Sequence, residues 1–154
     1  VTGLASRQGS LPWRIRMQLL FAQVRVVEAD ADWSHVRLRL PLTWLSRNRE
    51  GAVFGAYQAA VADPVAAIAC IRHFPDYSVW TRSLSLDFEY PGSTDLELRF
   101  EFTPAIEARI RTELESRGRS TPLFEYGLYR SDGIRCTRVE CRVAIRTRGY
   151  RKPG

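Results

Sequence analysis

Between residues 52 and 71 the chain carries only two strongly polar side chains, Gln58 and Asp63. As a helix this stretch would be apolar nearly all round rather than amphipathic, and such a helix is buried. Ala56, Ala59, Ala60, Ala62, Ala66, Ala67 and Ala69 would let neighbouring backbone approach closely, so a sheet can wrap it. Residues 47–73 are therefore the segment that the rest of the chain must surround. Within it a carboxylate is costly, because an unpaired buried charge costs several kcal/mol or raises its pKa. Asp63 needs a reason. Pro64 follows it, removes a backbone donor, leaves the Ala60 carbonyl without its helical partner and predicts a bend. Two readings stand. Asp63 caps or pairs with an arginine at a helix break, or it belongs to a site, where perturbed carboxylates cluster.

The run approaches membrane-spanning length, but Gln58, Asp63, Pro64 and its alanine content argue against insertion. The expectation is a soluble protein without a membrane partner. At 154 residues, with 45% hydrophobic and 26% charged side chains, the chain reads as one globular domain, residues 1–154. Three cysteines are an odd number with no disulfide framework, which suits a reducing compartment, the cytoplasm. Cys136 and Cys141, five apart in one strand, point to opposite faces, and His35 and His73 make no ligand-spaced cluster with them. No metal site is expected. The net charge of +6 would fit nucleic acid, an anionic membrane or a phosphate-bearing small molecule. The arginines are interleaved with Glu and Asp, however, and only residues 146–152 form a concentrated basic segment. A salt-laced sheet face accounts for them without nucleic acid.

In chain order, residues 1–9 show no periodicity. Ser10 reads as an N-cap, with Pro12 in the first turn and Leu11, Ile15, Leu19 and Leu20 apolar, so residues 1–32 are a leading helix and extension. Residues 24–27 read as extended and residues 28–32 as a turn. Val36, Leu38 and Leu40 alternate with His35, Arg37 and Arg39 as in a half-buried strand. Residues 42–50 make a loop containing Asn48, a residue type that is usually a turn former. Beyond the central helix, residues 79–90 place Trp80, Leu84, Leu86, Phe88 and Tyr90 on one face. Leu96, Leu98, Phe100 and Phe102 do the same in the next strand, and Pro91-Gly92 between them predicts a hairpin. Thr103, Pro104 and Gly118 bound an inserted surface helix, residues 104–118, with an apolar stripe of Ile106, Ile110 and Leu114. Its i,i+4 pairs are Glu107 with Arg111 and Arg109 with Glu113. Strands over residues 123–130 and 134–147 are joined at Asp132-Gly133, with Val139, Cys141, Val143 and Ile145 inward. The long final strand would leave an exposed edge.

A strand, a long buried helix and then several antiparallel strands, each apolar on one face, predict an α+β fold in which a curved antiparallel sheet wraps the helix. That is the hot-dog shape. Residues 48–63, N-R-E-G-A-V-F-G-A-Y-Q-A-A-V-A-D, resemble the signature of hot-dog thioesterases of the phenylacetate-pathway type, in which an Asn stands six residues before a His-Gly-Gly and an Asp nine after the His. Asn48, Gly55 and Asp63 match the Asn, the first Gly and the Asp. Phe54 replaces the His and Ala56 the second Gly. The layout is closest to an uncharacterised branch of that superfamily.

The resemblance implies hydrolysis of a fatty or aromatic acyl-CoA, with coenzyme A entering as part of the substrate and no further cofactor. Asp63 would be base or nucleophile, the Gly55 N–H, with Ala56, would bind the oxyanion, and Asn48 would orient water or the carbonyl. Phe54, Ala56 and Tyr57 would contact substrate. Gly55 and Asp63 are about 12 Å apart along one helix, so the resemblance also implies a site shared between two subunits of a homodimer or dimer of dimers. The alternative is a hot-dog protein that binds acyl groups or acyl-CoA without turnover, favoured by Phe54.

Overall fold

The computed structural model describes residues 12–151. Their elements run α1 (Trp13–Gln23), β1 (Arg25–Ala29), β2 (His35–Leu40), α2 (Gly55–His73), β3 (Tyr77–Phe88), β4 (Leu96–Glu101), α3 (Pro104–Arg117), β5 (Arg119–Ser120), β6 (Leu123–Tyr129) and β7 (Arg135–Thr147). Seven strands form one antiparallel sheet in the order β1-β2-β4-β6-β7-β3, with β5 also paired to β7. This curved sheet around a long helix is the hot-dog fold. No helix among the described residues is long and apolar enough to cross a membrane.

The alternation expected from the sequence sets the inward faces of β2, β4 and β7. Val36, Leu38 and Leu40 of β2, Leu96, Leu98 and Phe100 of β4, and Val139, Cys141, Val143 and Ile145 of β7 are all buried. Against them α2 packs Tyr57, Val61, Ala62, Val65, Ala66, Ala69 and Cys70. At its far end His73 stacks on Phe102 at 4.1 Å and reaches Glu107 at 3.3 Å, which ties α2 to α3. The helix α3 has the boundaries its signals predict. The Thr103 side chain accepts from the Ile106 N–H, Pro104 opens the helix, and Gly118 closes it at φ 66°.

Several expectations are corrected. Ser10 and Leu11 lie outside the described residues, and α1 is preceded by Pro12 as its N-cap. Two strands precede α2 instead of one. The hairpin expected at Pro91-Gly92 does not form: β3 pairs with β7, while β4 pairs with β2 and β6. The Gly92 carbonyl instead accepts from the Val53 N–H, so this segment braces the approach to α2. The last strand is internal, flanked by β6 and β3, and the edges of the sheet are β1 and β3. A bulge between Thr81 and Ser83 shifts the phase of β3, so Trp80 points away from the face that carries Leu84 and Leu86 and is exposed. Glu113 pairs with Arg117 at 3.4 Å rather than with Arg109, while Glu107 does pair with Arg111. The charged sheet face is laced as expected, with Arg37 on Glu97, Arg135 on Glu89 and Arg138 on Glu125 and Glu140.

Candidate functional site

The segment leading into α2 is a set of tight turns held by its own polar groups. Asn48 accepts from the Glu50 and Ala52 N–H groups through Oδ1, at 3.0 Å each, and Gly51 takes the left-handed conformation at φ 83° that the turn requires. Ser46 closes the turn before it, its hydroxyl donating to the Pro41 carbonyl at 2.7 Å and accepting from the Thr43 N–H. Asn48 thus shapes the loop with its oxygen. Its exposed Nδ2 amide donates to no described residue.

These turns deliver Phe54 as the N-cap of α2 in extended conformation, with no side-chain cap. The first intrahelical bonds come from the Tyr57 and Gln58 N–H groups to the Phe54 carbonyl, and the N–H groups of Gly55 and Ala56 have no acceptor among the described residues. They are the orphan donors of a helix start, at the positive end of its dipole. The position is held firmly. Buried Gln58 donates to the Val53 carbonyl at 2.9 Å and accepts from Thr137 on β7 at 2.5 Å. Phe88, at the end of β3, lies against the Gly55 backbone: a Cβ at position 55 would stand 2.8 Å from the tip of its ring. Glycine allows this close approach, and a larger residue would have to displace the ring. Sequence reading placed Phe88 in the core, whereas its ring is 53% exposed and flanks the free donors.

Asp63 differs from expectation in its surroundings. The helix is not covered all round: Ala56, Asp63, Pro64, Ile71 and Arg72 are exposed, and Ala59, Ala60 and Ala67 are partly so. Asp63 sits in the middle of this stripe, and its carboxylate makes no hydrogen bond or ion pair with any described residue. The cap or arginine partner of the simpler reading is absent among the described residues. α2 continues through Pro64 without a break. Side chains of the sheet reach the carbonyls just before it, Tyr126 donating to the Ala62 carbonyl at 2.7 Å and Thr81 to the Asp63 carbonyl at 3.2 Å.

The three residues read as substrate contacts fall in different places. Ala56 is exposed beside the free donors. Phe54 is half-buried, 6.0 Å from the Tyr57 ring, with the Arg16 guanidinium 4.9 Å above its own. Arg16 was not identifiable from sequence as a neighbour of this site. Its Nη2 donates to the Leu45 carbonyl, which fixes it over the ring. Tyr57 is wholly buried, and its hydroxyl donates to the Leu20 carbonyl at 2.9 Å. Burial pushes the phenol up to about 12, so it keeps its proton and acts as a tie between α1 and α2. In the single chain it has no surface with which to line a pocket. Burial likewise raises the thiols of Cys70, Cys136 and Cys141, which leaves them poor nucleophiles.

The chain therefore presents, along one seam, a helix start with two unused N–H donors, an unpartnered carboxylate further along an otherwise apolar helix face, and the unpaired edge of β3. No protein-family model matches the sequence, and no curated protein does. Solved structures do match in shape. A protein of unknown function from Pseudomonas aeruginosa, described as a probable thioesterase, superposes with a TM-score of 0.72 at 18% identity over 88% of this chain and 96% of its own. A hypothetical thioesterase from Streptococcus pneumoniae, solved with coenzyme A, gives 0.62 at 14% identity over 87% and 94%. The E. coli PaaI protein of the phenylacetic acid degradation operon gives 0.59 at 14% over 84% and 83%. At these identities the likeness is one of fold, and it extends over nearly the whole length of each partner.

Proposed function

We propose that the protein is an acyl-CoA thioesterase that hydrolyses a fatty or aromatic acyl thioester at a site shared by two copies of the chain. The observation that carries this reading is the unpartnered Asp63 carboxylate on the exposed, small-residue face of α2. A helix face of alanines beside an unpaired sheet edge is a surface awaiting a partner. A two-fold axis passing beside Ala59 and Ala60 would set Gly55 of one copy level with Asp63 of the other, because those alanines lie midway between the two positions. The separation of about 12 Å along one helix is thereby removed. The thioester carbonyl oxygen would sit at the Gly55 and Ala56 N–H groups, whose hydrogen bonds strengthen as that oxygen becomes negative. Asp63 of the second copy would take a proton from water or attack the carbonyl itself. Asn48 would orient the water or the carbonyl through its free amide, and Phe54, Phe88 and Ala56 would flank the acyl group.

The fold neighbours described as thioesterases, one of them with coenzyme A, support the choice of substrate class. Phe54 supports a second reading, acyl-CoA binding without turnover, since it puts an apolar ring under Arg16 at the helix start.

A panel of acyl-CoAs assayed for free thiol, with wild type and Asp63→Asn, separates these readings. Hydrolysis predicts turnover in the wild type and a fall of about 100-fold or more in the variant, the scale for removing a general base or nucleophile. Thermal stability should hold, because the Asp63 carboxylate has no partner among the described residues to lose. Undiminished turnover in folded Asp63→Asn would remove Asp63 from the site. Saturable acyl-CoA binding with no thiol released would select the binding protein.

A further inference from the structure

On the outer face of the sheet, away from α2, β7 ends beside a cleft of about 280 Å³ lined by Arg82, Arg117, Arg119 and Arg146 together with Glu113, Ser120 and Thr121. Ligand pockets run to roughly 300–1,000 Å³, so this one is sized for a small group rather than a whole cofactor. Its floor is Arg146, only 8% exposed. Nη1 donates to the carbonyls of Ser120 and Ile145 at 2.6 and 2.8 Å, Nη2 donates to Thr121 Oγ1 at 3.0 Å, and the guanidinium lies 5.7 Å from the Trp80 ring centre and 5.6 Å from that of Tyr150. These contacts fix its orientation, but none of them is a carboxylate. A buried charge without a counter-charge is expensive.

The neighbours deepen the deficit. Arg119 lies directly across from Arg146 in the β5–β7 pair, and like charges in that position repel. Arg82 is the bulged residue of β3, the irregularity that turns Trp80 outward as well. Neither Arg82 nor Arg119 has an ion-pair partner among the described residues. The one acid on the wall, Glu113, accepts from the Ser120 hydroxyl at 2.6 Å and pairs with Arg117 at 3.4 Å. Elsewhere on this sheet face Arg37, Arg135 and Arg138 meet Glu at 2.7–3.1 Å. Here four arginines converge on one glutamate that is already engaged.

We propose that this cleft binds a phosphoryl group carrying two or more negative charges, a terminal phosphomonoester or a pyrophosphate. Planar guanidinium forks match phosphate oxygens in pairs, and Arg146, held by its carbonyl contacts and rings, is preorganised for such a partner. The group could belong to the nucleotide end of coenzyme A or to a free phosphate compound. The inference does not depend on the thioesterase reading, since the charge deficit exists whatever Asp63 does.

Calorimetric titration with inorganic pyrophosphate and, separately, with coenzyme A tests it on the full chain, using wild type, Arg82→Gln, Arg119→Gln and the control Arg39→Gln. Arg39 is an exposed arginine on β2, at the other side of the sheet. Saturable pyrophosphate binding that each cleft variant weakens by about 10-fold or more, the scale of a charged hydrogen bond, and that Arg39→Gln leaves alone, is the expected result. If the same variants weaken coenzyme A, the phosphate is that of the thioester substrate. If coenzyme A binding is unaffected while pyrophosphate binding falls, the source is a free phosphate. No saturable binding of either probe to the wild type, or equal weakening by Arg39→Gln, would overturn the site. Asp63→Asn should not change pyrophosphate affinity, so loss of turnover and loss of anion binding are read separately.

Discussion

The contact between Gly55 and Phe88 offers a direct handle on the helix start. Replacing Gly55 with Ala puts a Cβ 2.8 Å from Phe88 Cζ and 3.3 Å from the two neighbouring ring carbons. Ordinary carbon contacts begin near 3.5 Å, so the ring must retreat by about 0.7 Å. The obstacle is the far end of a side chain that is half exposed, at 53%. Such a shift should cost on the order of 1 kcal/mol, the low end of overpacking penalties. Alanine in place of glycine returns up to about 1 kcal/mol in a helix, and the net change in stability should lie within about 1 kcal/mol of zero. Turnover should respond quite differently. If the Gly55 N–H binds the oxyanion, the new methyl and the displaced ring both crowd that oxygen, and a fall of about 100-fold is expected, comparable with losing one oxyanion donor. The assay is a cycle of four proteins: wild type, Gly55→Ala, Phe88→Ala and the double variant, each melted and each assayed for thiol release. Phe88→Ala should relieve part of the Gly55→Ala defect. A Gly55→Ala loss above about 2 kcal/mol that persists in the Phe88→Ala background would refute the contact as the limiting one. Full turnover in folded Gly55→Ala would refute the oxyanion assignment.

Other expectations follow from the same geometry. Sedimentation at micromolar concentration should give at least twice the 17.6 kDa of the chain, and Ala60→Arg, on the exposed stripe of α2, should yield a folded monomer without turnover; a wild-type monomer would sink the shared site. Tyr126→Phe leaves the Ala62 carbonyl without its 2.7 Å hydroxyl donor, and should cost about 1–2 kcal/mol in denaturant melts. Glu97 is held below the usual carboxylate range chiefly by its hydrogen bonds from Arg37. A group whose pKa is depressed by folding stabilises above its unfolded pKa and loses that contribution as pH falls through the folded one. Stability should therefore decline below the ordinary glutamate range, and Glu97→Gln should flatten that decline, removing roughly 1 kcal/mol at neutral pH.

What could be read from the sequence was whatever is decided locally. Thr103, Pro104 and Gly118 mark α3 because caps act within a turn of the residues that carry them, and Asp132-Gly133 marks the β6–β7 connection, where Gly133 has φ 85°. The choice of strand partner is not local. Pro91-Gly92 carries the signature of a hairpin, yet β3 and β4 lie far apart in the sheet because β7 supplies β3 with eleven paired residues and β2 supplies β4 with six. Trp80 lies on the face opposite to the one its alternation predicts because one extra residue at the Thr81 to Ser83 bulge reverses a pattern that is otherwise clear. The arginine cleft could not be seen at all. Arg119 and Arg146 are strangers in sequence, and only the short β5 strand sets them opposite each other.

Asp63 shows a different kind of limit. An apolar helix implies that every face of it is covered, and from that premise a buried carboxylate was expected. The folded chain covers only part of the helix and leaves Asp63 exposed among alanines. The composition was still informative, since a stripe of Ala56, Ala59, Ala60 and Ala67 has no reason to face water and no residue on it is large enough to anchor a groove. Small side chains suit the close approach of a second backbone. In the proposed dimer the apolar character of α2 would have two coverings, the sheet on one side and a second copy on the other. Under that arrangement the expected burial of Asp63 is a property of the assembly. Its cost would be met by the two unsatisfied N–H groups at Gly55 and Ala56 of the other copy and by whatever substrate lies between them.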